Sequence, residues 1–430
     1  MAAIDDLSMN RVLDSRVSEK SRDLYEGKLS HFFYYLWERK GQEGLPEEPF
    51  HEEFVLRVTS CASFDANDVA AIKTVVRKEA RACMRAKRPV LTSLEFLCPN
   101  DPHDSVVFKF ILSLKHSDGG QVASRSVYET TRSAFKWLYR LSNESMPQSL
   151  DICVKEFNAG IKRVVVAEQA KGDAPLETGK RPVTFEMLEA LGRKLLYSND
   201  KESPFVFAYM LLAWNLMARA GNVATLLFQN MEIRDDAMIV LFAQMKNDKD
   251  GARKKHPRHL FPNINKPHMC VFLALAIHLM VNGSAEGSKH LFGTQQTNAV
   301  YERFQKGFKR VLEGSEDIVA MLEEMEYDVD DFGAHSFRKG AVTACLGGVL
   351  GGPSPSSVFI RAGWTLNGVE SRYALFDKSG DQFLGRVAAG LPLDRVEFGA
   401  IRPHFELGAP SVRLYFFLLK ILTLITGFSA

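Results

Sequence analysis

Residues 335–392 read HSFRKGAVTACLGGVLGGPSPSSVFIRAGWTLNGVESRYALFDKSGDQFLGRVAAGLP and contain most of the polar motifs in the C-terminal half of this chain. They open with His335 and Arg338, which lie on one face if the segment is helical, because residues three apart are neighbours on a helix. Such a face can hold an anion, although an HxxR pair alone is common by chance. Two further motifs follow a patch rich in Gly, Pro and Ser: Arg361-Ala-Gly-Trp364 and Arg372-Tyr373.

A basic residue upstream, Arg219, follows a helix predicted over 204–217. The almost wholly apolar sequence of that helix indicates that it is buried. An unpaired charge at the end of a buried helix is costly, so Arg219 needs an anion. An internal carboxylate or a phosphate group can supply it.

Lys246 is the second upstream candidate. Strands are predicted over 231–234 and 238–245 around the turn pair Asp235-Asp236, and Lys246 comes directly after the second strand. The nearby lysines that are alternatives to it are Lys249, Lys254 and Lys255.

The chain resembles the tyrosine recombinases, which break and rejoin DNA. The resemblance rests on the order and spacing of Arg219, Lys246, His335, Arg338, Trp364 and Tyr373. The motifs QMKNDKDG (244–251), HSFRKGA (335–341), RAGW (361–364) and GDQFLGRVAAGLP (380–392) are more narrowly similar to Crypton-type recombinases of eukaryotic mobile elements. The resemblance implies a mainly α fold with a small β-sheet: an N-terminal helical, SAM-like core-binding domain and a C-terminal tyrosine-recombinase catalytic domain.

The resemblance also implies a catalytic role for each of the six residues. Tyr373 would attack the phosphorus and form a 3′-phosphotyrosyl link, while Arg219 and Arg338 would hold the non-bridging oxygens. Lys246 would protonate the departing 5′-oxygen, His335 would assist proton transfer at the tyrosine, and Trp364 would pack under the site. Because these cations already supply positive charge, no metal and no organic cofactor is expected.

Two departures from the family pattern concern the surroundings of these residues. Many members carry an acidic residue three positions after the first arginine, where this chain has Asn222. The segment 346–357 lengthens the connection between the HxxR motif and Trp364. Neither departure removes a predicted catalytic group.

Charge distribution indicates a nucleic-acid partner more clearly than net charge, which is only +2. Residues 244–310 contain 12 Lys/Arg against 4 Asp/Glu, whereas residues 313–331 contain 9 acidic and no basic residues. The basic part can follow a phosphate backbone, although for a charge run taken alone a solvated surface is the commoner explanation. The predicted DNA contacts are Lys249, Arg253, Lys254, Lys255, Arg258, Arg303, Lys306 and Lys339. The cluster from Arg253 to Arg258 also resembles a nuclear import signal.

Composition is that of a globular protein of two domains: 430 residues, 46% hydrophobic and 25% charged. The six cysteines form no CxxC pair, so zinc sites and a disulfide framework are not expected. The first residues lack the features of a signal peptide. A nuclear location is expected for a eukaryotic chain, and a cytoplasmic one otherwise.

The domain organisation follows from a change in composition at KGDAPLETGKRP, residues 171–182, which is predicted to be a linker. The predicted domains are an N-terminal helical DNA-binding domain (1–170), the catalytic domain (183–400) and an apolar tail (401–430). Helices are predicted over 21–40, 67–88, 104–116, 126–141, 184–196, 204–217, 266–281 and 299–312. The second of these is basic, and can lie along DNA or simply face solvent.

The apolar run of the tail, 414–428, is shorter than the roughly 20 residues that a membrane span needs. It is expected to dock on its own domain or on a neighbouring subunit, unless it reflects a misread gene end. The resemblance implies a homotetramer on double-stranded DNA, with no membrane and no small-molecule substrate. Two other functions fit the same residues: a domesticated DNA-binding protein that no longer cuts, and a type IB topoisomerase.

Overall fold

The computed structural model describes residues 17–42, 45–101, 104–114, 125–171, 179–234, 237–242, 256–283, 288–293, 297–347, 352–364 and 378–392. The chain divides into two compact units, Met1–Glu177 and Thr178–Ala430, and the division lies within the segment predicted as a linker. The described residues are mostly helical with one small sheet, which confirms the predicted fold class. Within these ranges no helix combines the length and apolar composition that crossing a bilayer requires.

The regular elements in the described ranges of unit 1 are helices, with one isolated β-bridge between Phe50 and Leu91. Its helices are α1 (Glu19–Trp37), α2 (Glu52–Thr59), α3 (Val69–Arg85), α4 (Val106–Ser113), α5 (Arg125–Leu141) and α6 (Gln148–Lys171), with a 3₁₀ turn at Glu95–Leu97. Aromatic residues fill its core: the Phe32 ring contacts those of Phe110 and Phe135 edge-on, with centroids 5.2 and 4.7 Å away. Such pairs are favourable beyond the area they bury.

The structure differs from the predictions at three helices of unit 1: α2, which was not predicted, and α1 and α6. Helix α1 begins earlier than the predicted Ser21, because the Ser18 hydroxyl caps it by accepting a hydrogen bond from the Ser21 N–H. Helix α6 has no counterpart among the predicted helices. Its Val164 and Val166 are exposed, so its apolar residues do not form the single stripe by which amphipathic helices are recognised.

Unit 2 surrounds a three-stranded antiparallel sheet with helices. The helices are α7 (Phe185–Leu196), α8 (Ser203–Asn215), α9 (Ala220–Ala224), α10 (Val271–Asn282), α11 (Thr297–Glu313), α12 (Glu316–Glu324), α13 (Ala334–Gly347), α14 (Pro355–Arg361) and α15 (Lys378–Ala388). The 3₁₀ turns are Phe228–Asn230, Pro267–Met269 and Val329–Asp331. The strands are β1 (Met231–Arg234), β2 (Ala237–Val240) and β3 (Arg258–Leu260), in that order, with Met231 opposite Val240 and Val240 opposite Arg258. Strand β3 was not predicted, because three residues after a basic cluster carry no alternating pattern.

Helix α8 is the centre of unit 2. All but one of its residues are buried, as its apolar sequence predicts, and it packs against α7, α10, α11 and α13. After the helix the chain turns at Met217, whose φ of 47° lies in the left-handed region. A non-glycine residue adopts that region only when the surrounding structure enforces it. The buried helix and this turn together fix the position of the Arg219 backbone.

Gly340 on α13, two residues after Arg338, allows the backbone of this helix to pack closely against its neighbours. A Cβ at this position would lie 2.0 Å from the Val183 carbonyl oxygen and 2.8 Å from the Trp214 ring. We expect Gly340→Ala to lower the free energy of unfolding by about 1–3 kcal/mol, measured by urea denaturation. Gly160→Ala on α6 is the control, since its Cβ would meet nothing within 4 Å. Equal stability of the two variants would contradict this packing.

Candidate active site

Four of the six predicted catalytic residues lie in described parts of unit 2: Arg219, His335, Arg338 and Trp364. Lys246 and Tyr373 lie outside the described residues. The same is true of four predicted DNA contacts: Lys249, Arg253, Lys254 and Lys255. The roles of these residues stay predictions.

Arg219 occupies the residue just before α9, with an extended backbone. Its side chain is half-buried, and this burial lowers the pKa of its guanidinium. No hydrogen bond or ion pair connects this guanidinium to any other residue that the structure describes. Arg219 is therefore a partly desolvated cation without a described anion.

Arg338 and His335 lie one turn apart on α13, as their spacing predicts. Arg338 is 8% exposed, and its Nη2 donates a hydrogen bond of 2.5 Å to the Ala362 carbonyl oxygen. Burial, and after it the positive charge of Arg219, lowers the pKa of Arg338 to about 10. The two guanidinium groups are thus near enough to repel each other. His335, by contrast, is exposed.

No carboxylate among the described residues forms an ion pair with Arg219 or Arg338. Two like charges in a partly dry site are unfavourable unless an anion joins them. A phosphodiester offers two non-bridging oxygens, and a guanidinium matches that geometry through its forked N–H donors. The electrostatics of this part of unit 2 therefore favour a bound phosphate group.

Trp364 reaches Arg338 because of the turn that ends α14. Gly363 has a φ of 69°, which favours glycine and explains its place in the RAGW motif. The Gly363 N–H donates to the Ile360 carbonyl oxygen at 2.8 Å, and the Trp364 N–H donates to that of Phe359 at 2.9 Å. The indole is 41% exposed, and its ring centroid lies 5.7 Å from the Arg338 guanidinium carbon. This distance is that of a cation–π contact.

Arg258 lies in the interior of unit 2. It is 5% exposed, and its Nε and Nη2 both donate to the Arg361 carbonyl oxygen, at 2.9 and 2.7 Å. Its guanidinium carbon lies 4.4 Å from the Phe242 ring centroid. This placement does not favour the predicted DNA contact, which needs an exposed guanidinium.

The predicted contacts on α11 and α13 have protein partners for the most part. Arg303 donates to both carboxylate oxygens of Glu202, at 2.7 and 3.1 Å, and Lys339 donates to the Lys180 carbonyl oxygen at 2.6 Å. Lys306 is exposed and forms no ion pair with a described residue. Other α11 cations pair with acids from elsewhere in unit 2, as Lys309 does with Asp330. For α11 these pairs favour the interpretation as a solvated surface.

A buried polar cluster beside the site was not predicted. Arg361 and Asp381 are 1% and 0% exposed and form an ion pair of 2.6 Å, which His259 extends. The sequence contains one signal for it, since Arg361 interrupts the apolar run SSVFIRAGW. A charge in such a run needs a partner, but the sequence does not say which one.

Unit 1 carries a second basic surface, which we call the α3 basic face: Lys28, Lys73, Arg77, Lys78 and Arg81. Nη2 of Arg77 lies 2.7 Å from Nε2 of His31, and Nε of Arg81 lies 3.4 Å from the Ser30 hydroxyl. Neutral partners of this kind orient the guanidinium groups without removing their charge. No member of the face forms an ion pair with a described residue, whereas the neighbouring Arg85 is paired with Glu26.

No protein-family model matches this chain, and no curated protein matches its sequence. Two solved structures of XerH site-specific recombinase are similar to it. The first, a pre-cleavage complex bound to difH substrate, has 11% identity and a TM-score of 0.32; the second, a post-cleavage complex bound to palindromic difH substrate, has 12% identity and a TM-score of 0.35. Each likeness covers 83% of this chain and 96% of the other. Likenesses at these values do not decide a function, which has to follow from the side chains of the site.

Proposed function

We propose that this chain is a tyrosine-type site-specific DNA recombinase that cuts and rejoins DNA through a 3′-phosphotyrosyl intermediate. One combination supports this most strongly: Arg338 is buried and held by the Ala362 carbonyl oxygen, it lies within the electrostatic influence of the half-buried Arg219, and neither arginine pairs with a described carboxylate. A scissile phosphate supplies the anion that both lack. The resemblance then assigns the nucleophile and the general acid.

The proposed reaction begins when the Tyr373 hydroxyl oxygen attacks the scissile phosphorus. His335, exposed beside Arg338, accepts or relays the phenolic proton. Arg219 and Arg338 stabilise the charge that grows on the non-bridging oxygens; both are at least partly desolvated before DNA binds, and Arg338 is also held in place by the Ala362 carbonyl oxygen. Lys246 donates a proton to the departing 5′-oxygen. The phosphotyrosyl bond conserves the energy of the broken bond, so a 5′-hydroxyl can rejoin the strand without ATP.

The indole of Trp364 has a supporting role in this reaction. Its contact with Arg338 restricts the guanidinium on one side, while the Ala362 carbonyl oxygen restricts it from another. A guanidinium held in this way loses little further entropy when a phosphate binds.

Double-stranded DNA is the proposed partner of the α3 basic face. We expect the double variant Lys78→Gln/Arg81→Gln to weaken DNA binding and to reduce the slope of log affinity against log salt by about 1 for each phosphate that the protein no longer neutralises. Fluorescence anisotropy between 50 and 200 mM salt measures both quantities. The control is Lys109→Gln, which removes an exposed charge from α4 outside this face. An unchanged slope in the double variant would remove the face from the proposed interface.

The finer parts of the proposal come from the resemblance. We propose a Crypton-like mobile element as the origin of the chain, a homotetramer on DNA as its working form, and the nucleus as its compartment. The alternatives are a domesticated protein that binds DNA without cutting it, and a type IB topoisomerase.

Covalent trapping separates these functions. Purified protein is mixed in EDTA with nicked duplexes from the ends of the surrounding genomic element and resolved on a denaturing gel. A recombinase forms a DNA adduct without metal and exchanges strands between two sites. A topoisomerase forms the adduct but relaxes supercoiled plasmid at scattered sites without strand exchange. DNA binding with no adduct on any duplex would contradict the proposed function and favour the domesticated protein.

A further inference from the structure

The side chain of Arg361 connects three separate parts of unit 2. Its Nη1 forms the ion pair with Asp381, at the start of α15. Its Nε and Nη2 donate to the Asn215 carbonyl oxygen, the last of α8, at 3.1 and 2.8 Å. Nη2 also donates to the carbonyl oxygen of His259 on β3, at 2.9 Å. One fully buried guanidinium thus fixes the ends of elements that are distant in sequence.

Asp381 completes this cluster. Its second carboxylate oxygen accepts hydrogen bonds from the His259 backbone N–H at 2.7 Å and from the His259 Nδ1 at 2.8 Å. Burial by itself would raise the pKa of Asp381, but Arg361 and the His259 hydrogen bonds outweigh it and lower that pKa. Both charges are therefore paired and hydrogen-bonded. Buried ionic groups of this kind can specify a single arrangement of the elements they join.

Arg361 and the groups that it binds lie close in sequence to Arg219 and Trp364, and next to the acceptor of Arg338. Asn215 precedes Arg219 by four residues, so its carbonyl marks where the chain turns towards Arg219. The next carbonyl after Arg361, that of Ala362, accepts the hydrogen bond from Arg338. Trp364 follows two residues later. The backbone groups next to the two arginines and the tryptophan thus all lie within a few residues of Arg361 or of a group bound to it.

We propose that Arg361, held by Asp381, is a positioning residue for the phosphoryl transfer: it sets where Arg219 and Arg338 stand relative to each other. The inference rests on the proposed function. Arg361 has no exposed side-chain surface with which to touch DNA, and its acceptors, the Asp381 carboxylate and the carbonyl oxygens of Asn215, His259 and Asp381, all belong to the protein. It therefore acts on the rate of the chemical step and not on DNA affinity.

The test is Arg361→Lys, which keeps a cation for Asp381 but cannot donate to Asn215 and His259 in the same planar arrangement. Single-turnover cleavage of a nicked duplex gives a rate constant and an amplitude. We expect the rate constant to fall by about 10- to 100-fold, since small misplacements cost that much, with amplitude and DNA affinity unchanged. A lower amplitude with a wild-type rate constant would show a purely structural role and overturn the inference.

A double-mutant cycle tests whether Arg361 acts through Arg338. In the Arg338→Met background, Arg361→Lys is expected to slow cleavage by no more than about threefold, because one of the two arginines whose relative position Arg361 sets is gone. If the two substitutions reduce the rate constant by independent factors that multiply, Arg361 does not act through Arg338. Arg132→Lys is the matched control: Arg132 forms a forked pair with Asp151 in unit 1, at 2.8 Å for both bonds, and its substitution should leave the rate constant unchanged.

Two further measurements keep the inference testable if Arg361→Lys misfolds or if the wild type never cuts. The double variant Arg361→Met/Asp381→Asn removes both buried charges together and should show the same reduction in rate. Crystal structures of the variants test the positioning even if the protein is inactive. We expect the 2.5 Å hydrogen bond between Arg338 Nη2 and the Ala362 carbonyl oxygen to be broken in either variant. If the wild type forms no adduct, the proposed function fails, while an unchanged hydrogen bond would overturn the positioning role by itself.

Discussion

The Arg338→Met variant is expected to cleave DNA about 10²–10³ times more slowly than the wild type, which is the usual cost of losing one preorganised donor to a developing charge. Methionine matches much of the volume of arginine but offers no N–H donor. Arg219 would remain, but one of the two non-bridging oxygens would lose its cation. DNA affinity should change little, because the proposed interface includes the α3 basic face and does not depend on Arg338 alone.

A neutral phosphate supplies the control for this prediction. A duplex with a methylphosphonate at the scissile position has one charged oxygen fewer, so it needs less of the charge that Arg338 provides. We expect Arg338→Met to slow cleavage of this duplex by less than it slows the natural one. Single-turnover kinetics on both duplexes give the comparison. An equal reduction on the two would mean that Arg338 does not neutralise the phosphate.

The second large effect concerns stability. Asp381→Ala leaves Arg361 fully buried without its anion, and we expect the free energy of unfolding to fall by about 3–5 kcal/mol. Arg361→Met/Asp381→Leu removes both charges and should be more stable than the single variant, since replacing a buried ion pair by apolar residues is often neutral. Urea denaturation, followed by circular dichroism, measures both. A single variant as stable as the wild type would contradict the pairing.

The ion pair between Arg361 and Asp381 also predicts how the stability of the folded chain changes with pH. The pKa of Asp381 in the folded chain lies below its ordinary value of 3.8. The unfolded chain therefore binds the proton first as the pH falls, and the stabilisation is present above about pH 4 and lost below it. Acid unfolding of Asp381→Ala should lack this contribution, which a comparison of unfolding free energies at pH 3 and pH 6 would measure.

Local sequence signals predicted the elements whose determinants are themselves local. The apolar run of α8 and the strands β1 and β2 follow from composition and alternation over a few residues, although β2 ends at Val240 and not at the predicted residue 245. Thr184 caps α7 next to its predicted start. The proposed catalytic roles came from a family resemblance, which rests on the order of the six residues, and they stay predictions. The burial of Arg338 depends on tertiary packing, which the sequence does not show. The sequence did show that both arginines could hold an anion.

The features that the sequence did not reveal have long-range causes. Arg303 has the appearance of a DNA contact until Glu202, 101 residues earlier in the chain, is found beside it. Arg361 donates to the carbonyl oxygen of Asn215, which lies 146 residues earlier in the chain, and no rule of sequence spacing predicts such a hydrogen bond. In both cases the sequence shows a charge that needs a partner, and only the fold shows which partner it has.

The nucleophile can be identified by mass spectrometry of the trapped adduct. Trypsin cuts after Arg372 and Lys378, so Tyr373 lies in a short peptide, YALFDK, which contains no other tyrosine. After nuclease digestion of the adduct, the proposed function predicts that this peptide carries the mass of the residual nucleotide phosphate, and that Tyr373→Phe yields no adduct. An unmodified 373–378 peptide from a genuine adduct, with the nucleotide on a different residue, would contradict the assignment of Tyr373.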